Sequence, residues 1–299
     1  MHLVAAFGRS HPWRNPPLPL PPGTTETQIR DLISSVRVDG GPPAELDGYW
    51  REAFGRFLRT WDLARDLTGS ALELGANPYF LTVLLKEFSA LDVTLANYFG
   101  SDSDARHVQR VTHTDLSTGA SSTCGFSSWI FDAETDPFPF ADESFDVVFF
   151  CEIIEHMTMD PLATLRQINR VLRNGGHLIL TTPNVGRLEN VARMVLGENI
   201  YDPYSGYGPH GRHNREYSRR EVEELLHYAG FELEAIHTAD SHPPRAYVAA
   251  VAARAGGMTS TRAQDLGQYI FVRARRVDAG RKLRPAFLYR SYPAGEIEE

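Results

Sequence analysis

Ala71-Leu72-Glu73-Leu74-Gly75-Ala76-Asn77-Pro78-Tyr79 is the stretch on which the fold turns. Four mostly apolar residues make a short strand, and a glycine stands where that strand ends. Glycine there lets backbone approach a ligand closely, with the N-terminus of the following helix (Leu81 to Phe88) aimed at it. Asn77 and Tyr79 hold positions where further glycines would often stand. Asn tolerates positive φ better than most side chains, so Asn77 is a workable substitute, whereas Tyr79 is a departure. A strand-turn with a single glycine is structural more often than not, so the turn needs its surroundings. The chain carries no Gly-x-x-x-x-Gly-Lys-Ser/Thr loop, and a triphosphate ligand is not expected.

Outward from this turn the pattern repeats. Asp92 to Ala96 reads as a second strand, and Arg106 to Thr112 and Cys124 to Phe131 as two more, joined by the Ser/Thr/Gly-rich turn around Asp115 to Ser122. Phe145 to Phe150 is apolar except for Asp146, the pattern of a strand buried on both faces of a parallel sheet. A helix over Asp160 to Leu172 ends in Asn174-Gly175-Gly176, and His177 to Thr181 is the next strand. Arg219 to Tyr228 forms a helix between Ser218 and Gly230, followed by closing strands at Phe231 to Ile236 and Gln268 to Val272. Alternation of strand and helix from residue 70 to 238 predicts a doubly wound, mostly parallel α/β sheet. Upstream, a proline-rich arm precedes a short helix starting at Thr24 or Thr25, then an amphipathic helix over Gly48 to Leu67. The expected division is an arm and short helix (1–47) as an N-terminal helical cover, a core (48–277) with a long loop (185–214), and a C-terminal extension (278–299).

At 299 residues, 42% hydrophobic and 23% charged, the chain has the balance of an ordinary globular protein. No apolar run reaches the roughly 20 residues that span a bilayer. Two cysteines, Cys124 and Cys151, do not make a disulfide framework, and a cytoplasmic location is the expectation. A net charge of −8 disfavours non-specific nucleic-acid binding.

Four pieces occur in order: Glu73-Leu74-Gly75; Phe131-Asp132-Ala133-Glu134 with Phe138-Pro139-Phe140-Ala141-Asp142-Glu143-Ser144-Phe145-Asp146; Cys151-Glu152-Ile153-Ile154-Glu155-His156-Met157; and Leu172-Arg173-Asn174-Gly175-Gly176 leading to Thr181-Thr182-Pro183-Asn184. Together they strongly resemble the class I S-adenosylmethionine-dependent methyltransferases, over about residues 70 to 238. The resemblance implies a Rossmann-like fold and S-adenosylmethionine as cofactor. It implies Glu73, Gly75 and Asn77 beside the methionine and ribose, and Cys151 at the end of the fourth strand. Asn97 would reach the ribose hydroxyls, where the family usually has an acid. Asp132 would accept from the adenine amino group, with the Ala133 backbone beside the ring. A capping role for Asp132 and a loop position for Asn97 are the alternatives.

Glu152, Glu155 and His156 fall where the buried strand gives way to a helix, and a helical turn beginning at Glu152 would put all three on one face. Two carboxylates and an imidazole suit a divalent cation such as Mg²⁺ or Mn²⁺, with His213 as a further ligand. This pattern is similar to the metal site of small-RNA 2′-O-methyltransferases. A bound cation would lower the pKa of an acceptor hydroxyl, and His156 or Glu155 would take its proton. A metal-free reading, with His156 as the base alone, stands beside it.

The insertion Val185 to Asn214 carries Asn199, Tyr201, Asp202, Tyr204, Tyr207 and His210, a mixture suited to a carbohydrate acceptor, or else is a surface loop. His237, His242 and a helix over Arg245 to Ala253 border that pocket or pack beside it. The favoured acceptor is a sugar hydroxyl, in a protein resembling polysaccharide O-methyltransferases of the mycobacterial type. An RNA 2′-hydroxyl is the competitor, with Arg212, Arg215, Arg219, Arg220, Arg273, Arg275, Arg276, Arg281 and Lys282 as candidate phosphate contacts. A small-molecule methyltransferase, a nicotinamide oxidoreductase and a non-catalytic binding protein are the remaining classes. The N-terminal cover is expected to serve as a lid or as a homodimer contact.

Overall fold

The computed structural model describes residues 15–100, 105–243, 245, 247, 248, 250, 251, 264–293 and 295–298. Most of the N-terminal arm and part of the helix expected over Arg245 to Ala253 lie outside the described residues.

Helix α1 (Glu26–Ser35) starts at a capping box. Thr25 accepts from the N–H of Gln28, whose side chain reaches back to the N–H of Thr25. Strand β1 (Arg37–Val38) follows, and α2 (Pro43–Ala64) begins five residues before Gly48 because Pro43 takes the first helical turn, where no N–H partner is needed. The expected boundary at residue 47 therefore falls inside a helix.

The centre of the sheet is parallel: β2 (Thr68–Leu74), β3 (Ala90–Asn97), β5 (Ser121–Ile130), β6 (Phe145–Cys151) and β7 (Leu172–Pro183). Both edges are antiparallel, with β4 (Arg106–Thr114) and β1 on one side and β9 (Tyr269–Arg276) and β8 (Phe231–Ala239) on the other. Among the described residues the order is β1-β4-β5-β3-β2-β6-β7-β9-β8. The chain thus turns one way from β2 through α3 (Phe80–Phe88) to β3, and resumes on the other side of β2 at β6. That reversal is the topological switch point at which open α/β sheets bind ligands.

Period-two alternation divides the strands between two cores. Ala71, Val147, Phe149, Ile179 and Phe271 face α1, α2 and α3; Leu72, Leu74, Val148, Phe150, Leu178 and Leu180 face α4 (Pro161–Val171) and α6 (Arg219–Tyr228). Asp146, the polar member of the apolar run, sits at the start of β6 and accepts from the N–H of Ser70 and from Arg173.

Two local expectations are corrected. Asn174-Gly175-Gly176 lies within β7 and shifts its register against β6, so that Phe145 faces Leu172 but Val147 faces His177. The insertion at 185–214 is not wholly irregular: it contains α5 (Leu188–Val195), whose Leu188 and Ala192 pack with Val248 and Leu266. The C-terminal extension is fastened to the core. Its strands β10 (Arg284–Pro285) and β11 (Ile297–Glu298) pair, and the Tyr289 hydroxyl donates to Asp160 at the N-cap of α4. Among the described residues no helix is long and apolar enough to cross a membrane.

Candidate active site

The carboxyl ends of β2, β3, β5 and β6 surround a cavity of about 360 Å³, at the lower end of the range for small-molecule sites. Gly75, Asn77, Asn97, Asp132, Ala133, Glu152 and His156 line it, with Leu74, Phe131, Ile153 and Met157 as apolar walls. Glu73 and Cys151 lie instead in a smaller recess next to it, together with Arg56 and Tyr49 of α2.

The turn at its base is held by backbone and by one amide. Gly75 has φ +67, a backbone that favours glycine, and a Cβ there would stand 3.0 Å from Ile153 Cδ1, so any larger residue would also press on that side chain. Its N–H and that of Ala76 donate to the Ala96 carbonyl. The second left-handed residue is Tyr79, at φ +69, and not Asn77. A non-glycine side chain in that region is strained. Tyr79 compensates by burying its ring against Phe126 and bonding its hydroxyl to Gln109 and Asn97. Asn97 is committed to the protein: Oδ1 accepts from the N–H of Asn77 at 2.8 Å, and Nδ2 donates to Ser128 and Tyr79. It lines the cavity as the clamp that fixes the turn. Asp132 Oδ1 accepts from the N–H of Glu134, leaving Oδ2 out of that capping bond.

Glu73 is buried, and Thr82 of α3 donates to it at 2.7 Å. Burial lifts its carboxyl to about 8, against the bond from Thr82. Burial likewise pushes the Cys151 thiol up to about 12, so it stays protonated and inert.

Beyond β6 the chain kinks. Glu152 has φ +56, and the helical turn starts only at Ile154, spanning Ile154–His156. Glu152 is thereby turned away from Glu155 and His156. It accepts from Thr181 Oγ1 at 2.8 Å and pairs with Arg56 at 2.5 Å. Arg56 is 6% exposed; burial disfavours its cation, but Glu152 and two tyrosines outweigh that and raise its pKa. Removing one member of so buried a pair costs about 3–5 kcal/mol.

Glu155, His156 and His213 are brought together, each offering a ligand atom within 4.8 Å of the others, and Glu152 is not among them. Glu155 is 0% exposed; Oε2 accepts from Thr182 Oγ1, while Oε1 is buried without a partner among the described residues. Burial first, and then the Glu152 charge, raise its pKa to about 8. His156 Nδ1 lies 2.9 Å from the Arg212 carbonyl, which as an acceptor requires the proton on Nδ1 and leaves Nε2 with its lone pair. Burial and the neighbouring His213 keep His156 below the ordinary imidazole value, hence neutral at pH 7. His213, 5.0 Å away ring to ring, bonds Glu216 through Nδ1. Burial opposes its charge, but Glu216, Glu155 and Asp202 prevail and raise its pKa.

Glu134, Asn214 and Tyr98 were given no role from the sequence. Glu134 accepts from the N–H groups of Thr158, Met159 and Asp160, which draws the chain after His156 onto the end of β5. Asn214 donates to the Glu155 and His156 carbonyls, tying the 185–214 insertion to the same turn. Tyr98 and His210, both lining the cavity, meet edge to face with ring centroids 5.8 Å apart.

The model of a methyltransferase domain matches residues 45–236, well over half of the chain. A probable S-adenosylmethionine-dependent methyltransferase of Mycolicibacterium smegmatis is 34% identical over 96 residues, so the match spans about a third of each protein (32% of both). Among solved structures, a SAM-dependent methyltransferase from Archaeoglobus fulgidus aligns with a TM-score of 0.48 and 14% identity over 76% of this chain and 94% of its own. A chain from the complex of the Haloferax volcanii Trm112 methyltransferase activator aligns with a TM-score of 0.48 and 17% identity, over 78% and 95%. With a switch-point cavity built on the Gly75 turn and a family model spanning residues 45–236, the chain belongs to the class I S-adenosylmethionine-dependent methyltransferase family.

Proposed function

We propose that this protein methylates a hydroxyl of a carbohydrate-like acceptor, using S-adenosylmethionine held in the cavity at the ends of β2, β3, β5 and β6. The observation that carries the reading is His156: a cavity-wall imidazole, neutral, with Nδ1 pinned to the Arg212 carbonyl and Nε2 left to accept a proton. The residues fit the cofactor. Apolar walls at Phe131, Ile153 and Met157 suit the flat base, and Asp132 Oδ2 stands at the same wall as an acceptor. The cofactor supplies an electrophilic sulfonium methyl; the protein orients the acceptor hydroxyl for in-line attack and removes its proton at His156 Nε2.

With a divalent cation held by Glu155, His156 and His213, His156 Nε2 would be a ligand in place of the base, and the cation would itself lower the pKa of the hydroxyl. The orphaned Glu155 Oε1 supports this, as do the bonds that fix each Nδ1, the usual outer partners of metal-bound histidines. Two imidazoles and one carboxylate suit Mn²⁺ better than Mg²⁺.

For the acceptor, Tyr201 and Tyr207 of the insertion are 78% and 88% exposed, open rings on which a sugar can stack, while Tyr204 has the Arg212 guanidinium over one face. Seven of the eight arginines that would contact RNA are instead engaged with acids: Arg215 with Glu221, Arg219 with Asp265, Arg220 with Glu224, Arg273 with Asp66, Arg275 with Glu232, Arg276 with Glu143, Arg281 with Glu298; Arg212 bonds Asn214 and lies over Tyr204. That favours a sugar over a polyanion. The test is labelled-methyl transfer to a panel of oligosaccharides and RNAs, with and without chelator. Transfer to an oligosaccharide, lost on chelation, is expected. Transfer to RNA alone would overturn the acceptor, chelator-indifferent turnover would overturn the metal, and no transfer to any hydroxyl would overturn the reaction.

A further inference from the structure

Two polar residues at the start of α5, Arg187 at its N-cap and Asn190 in its first turn, bond one carboxylate outside the helix, that of Glu216. We infer that α5 is a brace for the reacting end: Arg187 and Asn190 fix the Glu216 carboxylate, and Glu216, a positioning residue, holds the His213 ring with Nδ1 occupied and Nε2 available. The inference rests on the reading that Glu155, His156 and His213 form one reacting end. It gives the insertion a task apart from carrying the acceptor.

The first support is how fully the carboxylate is used. Glu216 Oε2 accepts from Arg187 Nη1 and from Asn190 Nδ2, and Oε1 lies 3.0 Å from His213 Nδ1. The Glu216 side chain is 9% exposed, and a carboxylate so covered is stable only when paired and hydrogen-bonded. Its cation and amide come from α5 and its imidazole from the site, so this one group joins the two. Asn190 is 1% exposed, and its Oδ1 has no partner among the described residues. That orphaned oxygen is a cost, which the two bonds from Nδ2, to Glu216 and to the Val185 carbonyl, offset.

The second support is that the brace is itself held. Arg187 Nη1 also donates to the Asn184 carbonyl, and the Asn184 amide donates to the carbonyls of Asp265 and Gly267. The Leu188 N–H donates to the Leu266 carbonyl, and Leu188 and Ala192 pack on Val248 and Leu266.

The third is that rotation of the His213 ring is the freedom left to fix. The His213 N–H donates to Asp202 Oδ2 at 3.0 Å, and the N–H groups of Asn214 and Arg215 donate to the Glu155 carbonyl. The main chain is thereby set beside Glu155. Turning the ring over would put Cε1 where Nε2 stands, and the Glu216 bond to Nδ1 prevents it.

The experiment is proton NMR of the imidazole N–H region of the full chain, with calorimetric Mn²⁺ binding on the same preparations. A ring Nδ1–H held by a carboxylate exchanges slowly with water, and one such resonance, absent from His213→Ala, is expected in the native protein. It should vanish in Glu216→Ala and persist in Glu216→Gln, whose amide oxygen still accepts. Arg187→Met should speed its exchange by about tenfold, as loss of a charge-assisted bond does, and Arg187→Lys should restore part of the difference. Mn²⁺ affinity should fall about 10–100-fold in Glu216→Ala, with no further fall when the same change is made in His213→Ala. A His213 resonance that persists in Glu216→Ala, or exchange unchanged in Arg187→Met, would overturn the inference. Should a variant not fold, the native spectrum still decides, because a His213 Nδ1–H exchanging as fast as that of free imidazole overturns it too. Native protein that binds no Mn²⁺ would overturn the metal reading and leave the resonance to judge the brace.

Discussion

Glu152 and Glu155 stand three residues apart on one connection, yet the fold gives them opposite surroundings. Glu152 faces α2 with both oxygens satisfied, by Thr181 and by Arg56. Glu155 faces the other way, wholly buried, with one oxygen bonded to Thr182 and the other unpartnered beside two imidazoles. Glu152 itself takes a left-handed backbone, and the helical turn that carries Glu155 begins only at Ile154. A satisfied buried charge is arranged to hold something in place, whereas an unsatisfied one is costly unless a ligand or proton completes it. The contrast separates a binding end of the site from a reacting end.

The two ends can be pulled apart by substitution. The largest effect is expected at His156: His156→Ala should lower kcat by about 10²–10⁴-fold, the usual contribution of a general base, with S-adenosylhomocysteine affinity nearly unchanged in the same preparation. A comparable loss of affinity would move His156 to the binding end. Glu155→Gln comes next. Because burial holds Glu155 near pKa 8, the amide imitates its protonated form and should fold with undiminished stability at pH 7, while calorimetric Mn²⁺ affinity falls by about 10–100-fold. Unchanged Mn²⁺ binding would remove Glu155 from the ligand set. Asp132→Ala should weaken S-adenosylmethionine by about tenfold, as loss of a hydrogen bond with a charged acceptor does, and intact affinity would leave Asp132 as a turn cap only.

The remaining effect is one of pH. Glu73 has its folded pKa raised from 4.5 to about 8, so between those values the folded chain keeps a proton that the unfolded chain has released. Its contribution is therefore fully present below 4.5 and is lost as pH rises through about 8. Denaturant midpoints should fall across that window, and Glu73→Gln should flatten part of the fall. A slope identical in the variant would mean that Glu73 is ionised in the folded protein.

Much of the scaffold was legible because its signals are local and periodic. Phe145 to Phe150 declared a strand buried on both faces, and Ser218 just before Arg219 marked the start of α6. The closing antiparallel pair was recognisable as strands, but its direction was not, since pairing partners lie far apart in sequence. Helix α5 was hidden although Leu188, Val191, Ala192 and Val195 keep helical spacing, because the glycines and tyrosines beyond it read as loop. At the site, His156 and His213 were found by residue type. Glu152 was placed on the wrong face of its turn, since nothing in a glutamate announces a positive φ. Arg56 was passed over because α2 reads as amphipathic, whereas packing covers residues 53 to 61 on nearly every side. Chemistry could be nominated from residue types; direction depended on backbone turns that only the folded chain displays.

The central claim is that the Gly75 turn and its surroundings bind S-adenosylmethionine. Equilibrium dialysis of the full chain against the labelled cofactor tests it directly: saturable binding displaced by unlabelled S-adenosylhomocysteine is predicted, and label distributed equally across the membrane would contradict it.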